Sequence, residues 1–188
     1  MTRFFASDHH LGHWNIIRYS NRPFSSVQEM NEKLLEYHNA VVRPEDHVSF
    51  LGDVTIKRSG RIDREWFITE IRKYNGHKRL YLGNHDHFPI KVYLDAGFEK
   101  IYATWRDQQG ILFSHFPLHP QSIGSAIANV HGHTHGNPDY QPVVQVDKKT
   151  QKVTLVPYLN ISVERTEYRP ISIDELRSRI DAVKEKYD

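Results

Sequence analysis

The sequence predicts a mixed α/β fold in which helices cover a sheet. Two kinds of pattern along the 188 residues lead to this prediction. Short apolar segments rich in β-branched and aromatic residues are typical of buried strands. Longer segments whose apolar residues recur every three or four positions are typical of helices packed on a core. Strands alternate with helices early in the chain and dominate later, which favours a mixed sheet with helices outside it.

The principal strand candidates are five apolar segments, at residues 4–6, 48–51, 80–82, 111–113 and 127–130. Further along, Val143–Val146 and Val153–Val156 flank the polar residues 147–150, and this pattern predicts a β-hairpin. Residues 160–164 are a further strand candidate.

The first clear helix candidate follows Ser25 and Ser26, either of which can cap it. Its apolar residues recur at helical spacing: Val27, Met30, Leu34, Leu35 and Val41. A second predicted helix covers residues 63–76, with Gly76 as its C-terminal stop. Residues 90–96 form a shorter one.

The C-terminal segment predicts a last helix, because Ser172 and Glu175 form a capping-box signature. The apolar residues on one face of this helix are Leu176, Ile180, Val183 and Tyr187. We expect this face to pack against the sheet.

Length and composition exclude several classes of protein. A chain of 188 residues fits one domain, which we expect to span residues 1–188. The sequence has no cysteine, so disulfides, thiolate metal ligands and a cysteine nucleophile are excluded. No segment is apolar enough to span a membrane or to act as a signal peptide, and we expect a cytoplasmic location. The net charge of +2 is short of the basic stripe of a typical nucleic-acid-binding protein.

Thirteen histidines are an unusual number for this length, and metal binding is one common reason for such an excess. Several of them belong to five short polar motifs that occur in a fixed order, each just after a predicted strand. The motifs are Asp8-His9-His10, Gly52-Asp53, Gly83-Asn84-His85-Asp86, His115 and Gly132-His133-Thr134-His135. Sheet proteins place their functional sites at strand ends, so we expect these side chains to meet. Four of the histidines outside the motifs, His38, His47, His77 and His87, are expected on the surface.

Aspartate, asparagine and histidine are the residue types that a two-metal hydrolytic site needs. Two cations roughly 3.5–4 Å apart activate a water molecule and hold the oxygens of a phosphate ester. Cations at that distance need a bridging anion, and Asp53 fits the bridging role because it stands alone after its strand.

The five motifs resemble the pattern of the calcineurin-like metallophosphoesterase superfamily, and the resemblance covers Asp8 to His135. It implies a sandwich of two mixed β-sheets flanked by helices, with two metals in the loops at the strand ends. The implied ligands of one metal are Asp8, His10, Asp53 and His135. Those of the other are Asp53, Asn84, His115 and His133. The general acid of the superfamily, which protonates the leaving group, maps onto His85.

Each motif residue also has a structural interpretation. Asp8 and Asp53 can cap turns after strands, Asn84 can build a turn that Gly83 begins, and His115 can be a hydrogen-bonded core histidine. We favour the metal site because ordered sets of motifs have far fewer chance matches than single ones.

Residues outside the motifs are weaker candidates. Arg22 and His13 follow the first motif and are candidate substrate-binding residues, since arginine suits phosphate. A loop with Lys57, Arg58 and Arg61 follows Asp53 and could touch an extended substrate.

The expected activity is hydrolysis of a phosphate mono- or diester, of a small molecule or a nucleotide, by hydroxide bridging two divalent metal ions. Mn²⁺ is the first choice of metal, with Fe or Zn²⁺ as alternatives, because the predicted donors are carboxylate, amide and imidazole. A nuclease acting on nucleic acid is the second hypothesis, and a non-catalytic scaffold of the same fold is the third. We expect no membrane partner.

Overall fold

Two β-sheets pack against each other in the computed structural model, which describes residues 1–56, 63–146, 150–151 and 153–187. In chain order the strands are β1 (Arg3–Ala6), β2 (His47–Phe50), β3 (His77–Tyr81), β4 (Phe98–Tyr102), β5 (Thr104–Arg106), β6 (Ile111–Ser114), β7 (Ala128–His131), β8 (Val143–Val146), β9 (Val153–Val156), β10 (Tyr158–Asn160) and β11 (Ile171–Ser172). The first sheet has the order β11-β1-β2-β3-β4 and the second the order β10-β7-β6-β5.

Both sheets are mixed, which confirms the predicted fold class. In the first sheet β1 to β4 are parallel, and β11 is antiparallel to β1. In the second sheet β10, β7 and β6 are parallel, and β5 is antiparallel to β6. The predicted hairpin is present as the antiparallel pair β8 and β9, although residues 147–149 of its turn lie outside the described residues.

The helices of the described residues are α1 (Trp14–Tyr19), α2 (Val27–Val41), α3 (Arg64–Arg72), α4 (Ile90–Asp95) and α5 (Ile173–Glu185), with 3₁₀ turns at Pro120–Ser122 and Val163–Arg165. In this part of the chain, none of them has both the length and the apolar character that crossing a lipid bilayer requires.

Two predicted helix caps are confirmed. The Ser26 Oγ accepts a hydrogen bond from the Glu29 backbone N–H at 3.1 Å, at the start of α2. The Ser172 Oγ accepts one from the Glu175 N–H, also at 3.1 Å, at the start of α5. Each bond satisfies one of the N–H groups that a helix leaves unpaired in its first turn.

Two local predictions differ from the structure. Helix α1 was not predicted, because six residues are too few to show a periodic pattern. The predicted strand at 160–164 is misplaced, since β10 covers Tyr158–Asn160 and a 3₁₀ turn follows at Val163–Arg165. The Asn160 side chain bonds to the backbone at this break, where its Oδ1 accepts a hydrogen bond from the Ser162 N–H at 2.9 Å.

Aromatic side chains join the two sheets. Phe5 of β1 and Phe113 of β6 stack with their ring centroids 4.7 Å apart. Helix α5 contributes Leu176 and Ile180 to the same buried cluster. Burying a side chain of this size contributes about 1.5–3 kcal/mol, so the cluster holds the two sheets at a fixed distance.

Helices α2, α3 and α4 cover the outer face of the first sheet. These helices contribute buried residues to a second hydrophobic cluster, namely Met30, Leu34, Phe67, Ile71, Val92 and Tyr93. They pack against Phe50 of β2, Leu80 of β3 and Phe98 of β4. The first sheet is therefore buried on both faces, which fixes the positions of the loops that leave its parallel strands.

His38 was expected on the surface, and that prediction is wrong. The side chain lies fully buried on the inner face of α2, where its ring stacks on Phe50 with the centroids 5.7 Å apart. The Nε2 lies 3.0 Å from the Asn75 carbonyl oxygen, so we assign the proton of the neutral ring to Nε2. Burial lowers the pKa of His38 from 6.5 to about 4.

We expect His38 to make the protein sensitive to acid. Its folded pKa of about 4 lies below its ordinary value of 6.5, so the unfolded chain binds the proton more readily. The contribution to stability is complete above pH 6.5 and is lost as the pH falls towards 4. Between pH 7 and pH 5 the free energy of unfolding should fall by about 2 kcal/mol from this residue.

Urea denaturation of the metal-free protein at pH 7 and pH 5 measures this effect. His38→Gln keeps a donor for the Asn75 carbonyl and cannot titrate, so its stability should depend less steeply on pH than that of the wild type. An equal pH dependence of the two proteins would contradict the assignment.

Candidate metal centre

The five polar motifs meet at one edge of the sandwich. Asp8, Asp53 and Asn84 follow β1, β2 and β3, which are parallel neighbours in the first sheet. His115 and His133 follow β6 and β7, which are parallel neighbours in the second. The carboxyl ends of parallel strands open into the loops where α/β proteins bind ligands. The two sheets therefore contribute to one site.

Asp8, His10 and His135 form the first group of potential metal ligands. One donor atom of each lies within 4.8 Å of the others. The Asp8 Oδ1 is 3.9 Å from the His10 Nε2 and 3.7 Å from the His135 Nε2. Three donors at these separations could hold one metal ion.

Asp53, His115 and His133 form the second group, with the same limit of 4.8 Å between their donor atoms. Asn84 joins this group, because its Oδ1 is 3.0 Å from the His115 Nε2. The His115 Nδ1 lies 2.8 Å from the Leu51 carbonyl oxygen. We assign the ring proton to Nδ1, which leaves the Nε2 lone pair for a metal.

Asp53 lies between the two groups. Its Oδ2 is 3.5 Å from the His10 Nε2 of the first group and 3.4 Å from the His115 Nε2 of the second. Its Oδ1 accepts a hydrogen bond from the His85 backbone N–H at 2.8 Å. One oxygen is thus fixed by the backbone, while the other faces both groups, as a bridging ligand requires.

The backbone of the site is strained at five positions of potential metal ligands. Asp8, His10, Asp53, His133 and His135 have φ angles of 60°, 53°, 51°, 69° and 48°, respectively. This left-handed region is uncommon for residues other than glycine, although Asp and His enter it more often than most. Such strain persists only where the surroundings enforce it, and it is concentrated at functional sites.

Motif glycines let the loops approach the ligands. A Cβ at Gly83 would collide with the Asp53 carboxylate, and one at Gly132 would collide with the Asp8 carboxylate and the Ser7 hydroxyl. The absence of a side chain at these two positions is therefore a steric requirement of the site.

The pKa values of the two aspartates are shifted in opposite directions. Burial raises the pKa of Asp8 above its usual value. Burial also opposes ionisation of Asp53, but the hydrogen bond and charge of His115 hold the pKa of Asp53 below its usual range. Burial opposes protonation of His115, yet the hydrogen bond that its ring donates to Asp53 and the nearby carboxylates raise the pKa of His115 to about 9, so a bound metal ion would take the place of the proton on Nε2. The site thus favours positive charge.

The residues fit divalent metal ions. The His10 side chain is buried, and neither of its ring nitrogens has a hydrogen-bond partner in the described part of the chain. Burial holds the pKa of His10 well below its usual value, so the ring is neutral with a free lone pair. An unpaired buried nitrogen facing two carboxylates is costly without a ligand. A cation between Asp8, Asp53 and His10 would satisfy all three.

No family model matches the chain. The uncharacterized protein MJ1445 of Methanocaldococcus jannaschii is 34% identical over 173 residues, which cover 91% of this chain and 86% of that protein. The two proteins are members of one family. All five motifs also occur here in order, and the structure brings them to one site with two groups of potential metal ligands. The motifs and the site that they form resemble those of the calcineurin-like metallophosphoesterase superfamily.

Solved structures give two further comparisons. A protein of unknown function from Aquifex aeolicus, AQ665, has a TM-score of 0.68 and 26% identity, over 94% of this chain and 98% of that one. A novel archaeal phosphodiesterase has a TM-score of 0.43 and 18% identity, over 92% of this chain and 100% of that one. The second likeness is too weak to support a statement about activity.

His85, the position of the general acid in the metallophosphoesterase pattern, lies at the edge of the second group. Its side chain is 35% exposed, and its Nε2 is 4.0 Å from the Asp53 Oδ2. The ring lies 5.3 Å from the ring of His10, centroid to centroid, and lines the pocket above both groups. His13, the other candidate for substrate contact, lines the same pocket.

Arg22, which was predicted to bind substrate, is not among the residues that line the pocket. It is buried, with 4% of its surface exposed. Its guanidinium donates hydrogen bonds to the backbone carbonyls of Asp8 and His9, at 2.7 and 2.8 Å, and pairs with Glu164 at 2.7 Å. These bonds use the guanidinium to hold the first metal-binding loop from behind. Lys57, Arg58 and Arg61, the other cationic candidates, lie outside the described residues.

The residues that orient these potential ligands were not predicted from the sequence. The His135 Nδ1 lies 3.0 Å from the Glu164 Oε1, so the His135 Nε2 is left to face Asp8. Burial would raise the pKa of Glu164, but the bond to His135 and the Arg22 charge hold that pKa below its usual range. Such carboxylate–histidine contacts fix the ring orientation of metal ligands.

Asp86 and Ser162 are two more such residues. The Asp86 carboxylate accepts hydrogen bonds from the N–H groups of Asp53 and Gly83, both at 2.8 Å, and the Ser162 hydroxyl donates to the Asp8 Oδ2 at 3.0 Å. Asp86 belongs to a motif and could have been suspected. Glu164 and Ser162 lie outside the motifs, and a single sequence holds no signal for them.

We expect Arg22→Ala to destabilise the protein and to weaken metal binding together. Removing one partner of a buried ion pair costs about 3–5 kcal/mol, because Glu164 is left buried and charged. Loss of an orienting contact typically weakens metal affinity by about 10–100-fold. Denaturant titration and Mn²⁺ titration by calorimetry measure the two effects.

Arg18→Ala is the matched control, because Arg18 lies on the exposed side of α1. It should change neither quantity. If Arg22→Ala is as mild as Arg18→Ala in both measurements, the positioning role of Arg22 is wrong.

Proposed function

We propose that this protein is a metal-dependent phosphoesterase that hydrolyses a phosphate mono- or diester of a small molecule or nucleotide. One observation carries the proposal: two groups of largely buried potential metal ligands meet at a single carboxylate, Asp53. A structural metal site needs one closed set of ligands. Two groups that share an oxygen and open into a pocket suit hydrolysis better.

Asp8, His10 and His135 would hold one ion, and Asn84, His115 and His133 the other, with Asp53 contacting both. When bound, two divalent ions supply a hydroxide nucleophile at neutral pH and neutralise charge on the phosphate oxygens. The chain holds these ligands rigidly, because the backbone bonds to Asp53 and Asp8 restrict their carboxylates.

His85 would protonate the leaving oxygen. A general acid must reach the leaving group without being consumed as a metal ligand. His85 meets both needs, because its ring lines the pocket while its backbone N–H is the group that bonds to Asp53. The partly exposed ring can also regain a proton from solvent after each turnover.

The donor set favours Mn²⁺, with Fe or Zn²⁺ as alternatives. Carboxylate and amide oxygens beside imidazole nitrogens suit these metals, whereas Ca²⁺ prefers oxygen ligands alone. With no cysteine in the sequence, a thiolate site is excluded.

A substrate panel tests the proposed function. Metal-free protein supplied with Mn²⁺ should hydrolyse an aryl phosphate monoester, an aryl diester or nucleotides, and chelation should abolish turnover. Asp53→Asn should lower both activity and Mn²⁺ content, because the two cations would lose the charge that offsets their repulsion. Single-stranded nucleic acid in the panel tests the nuclease alternative.

Elemental analysis provides the independent measurement. Two metals per chain in Asp53→Asn, with undiminished turnover, would contradict the shared carboxylate. If the fully metal-loaded wild type hydrolyses none of the esters, the proposed phosphoesterase activity is refuted and a non-catalytic scaffold is favoured.

His85→Ala should separate general acid catalysis from metal binding. We expect turnover to fall by about 10²–10⁴-fold while the metal content stays unchanged. The loss should be smaller for an ester with a good leaving group such as nitrophenolate, because such a group needs little protonation.

His87→Ala is the matched control, since His87 is an exposed histidine two residues away. It should leave turnover unchanged for every ester. Equal losses for good and poor leaving groups in His85→Ala would exclude the general acid role.

A further inference from the structure

The pocket above the metal-binding groups extends well beyond them. Its volume is about 610 Å³, which is within the range of sites that bind small organic molecules. The potential metal ligands form part of its lining. The lining also includes a set of residues that we name the distal arm: Ile16, Tyr19, Asn21, Ile56 and Asn137.

The distal arm presents an aromatic ring to the pocket. Tyr19, the last residue of α1, is 71% exposed yet lines this wall. Ile16, one turn earlier on the same helix, and Ile56 also line the pocket, and both are largely buried. An exposed aromatic ring with apolar neighbours suits the stacking of a planar group, which a hydrated phosphate or an alkyl alcohol would not exploit.

Two amides lie in the same arm. The side chains of Asn21 and Asn137 are exposed at the pocket wall. Each amide offers both donors and an acceptor, which is the pattern that recognises the polar edge of a nucleobase. An apolar face combined with amide groups at its rim fits a planar ring that carries hydrogen-bonding atoms.

The distal arm and the general acid border the same part of the metal site. The ring of His10 lies 5.4 Å from that of His13 and 5.3 Å from that of His85, and the His13 ring lies 6.4 Å from that of Tyr19. A phosphate ester with its phosphorus at the metal groups would therefore direct its leaving alcohol towards His85 and the arm.

We propose that the distal arm binds the base of a nucleoside, so that the substrate is a nucleoside phosphate ester and the nucleoside is the leaving alcohol. This inference rests on the proposed function. In the reaction, the bond between phosphorus and the nucleoside oxygen breaks, and a bond from phosphorus to a water-derived oxygen forms. His85 gives its proton to the nucleoside oxygen, and the proton of the water goes to solvent.

Paired substrates isolate the contribution of the base. The four ribonucleoside 5′-monophosphates are compared with ribose 5-phosphate, which has the same leaving oxygen and no base, and the methyl diesters of each are compared in the same way. The wild type should have a lower KM for at least one nucleoside ester than for its base-free counterpart. Tyr19→Ala should raise that KM by about tenfold or more and leave the base-free KM unchanged.

Two control variants accompany Tyr19→Ala. Tyr19→Phe keeps the ring and should retain the low KM. Trp14→Ala removes another exposed aromatic ring of α1, one that does not line the pocket, and should have no effect. An equal rise in the KM of the nucleoside and base-free esters in Tyr19→Ala would overturn the inference.

Calorimetry on the metal-free protein gives a readout without turnover. Adenosine, guanosine, cytidine and uridine are titrated into the wild type and Tyr19→Ala. At least one nucleoside should bind to the wild type and bind at least tenfold more weakly to the variant. This result would support base binding by the distal arm even if every ester resisted hydrolysis. Absence of binding by all four, together with equal KM values for the paired esters, would overturn it while leaving the phosphoesterase intact.

Discussion

The position of the Asp53 carboxylate is the constraint on which the rest of the site depends. Its Oδ2 is 3.5 Å from the His10 Nε2 and 3.4 Å from the His115 Nε2, and these two histidines belong to different sheets and different metal-binding groups. Each sheet alone provides an incomplete site. Packing of Phe5 on Phe113 sets the separation of the two sheets. It thereby sets the distance between the two histidines that the Asp53 carboxylate contacts.

Much of the surrounding structure holds strained loops in place. Five ligand residues have a left-handed backbone, and such conformations need support from neighbouring groups. Asp86 binds the turn of Asp53 through backbone N–H groups, and Arg22 binds the carbonyls of Asp8 and His9. These buried polar contacts offset local strain, and they leave the ligand atoms directed at the pocket.

The sequence predicted the fold class and the set of polar residues that meet, because strand ends and ordered motifs are local signals. It did not predict the role of Arg22, since arginine near a phosphate site suggests substrate binding unless its burial is known. Glu164 pairs with His135 and Arg22, which are 29 and 142 positions away from it in the sequence. Such long-range contacts leave no trace in one sequence. Likewise, His38 belongs to a polar residue type that is expected on the surface, but it occupies the buried face of α2.

Anomalous scattering from crystals soaked in Mn²⁺ tests the central claim most directly. The account predicts two peaks, one beside Asp8, His10 and His135 and one beside Asn84, His115 and His133. Both should contact Asp53, at a separation of roughly 3.5–4 Å. A single peak, or two peaks of which only one touches Asp53, would contradict the claim that this carboxylate joins two metal sites.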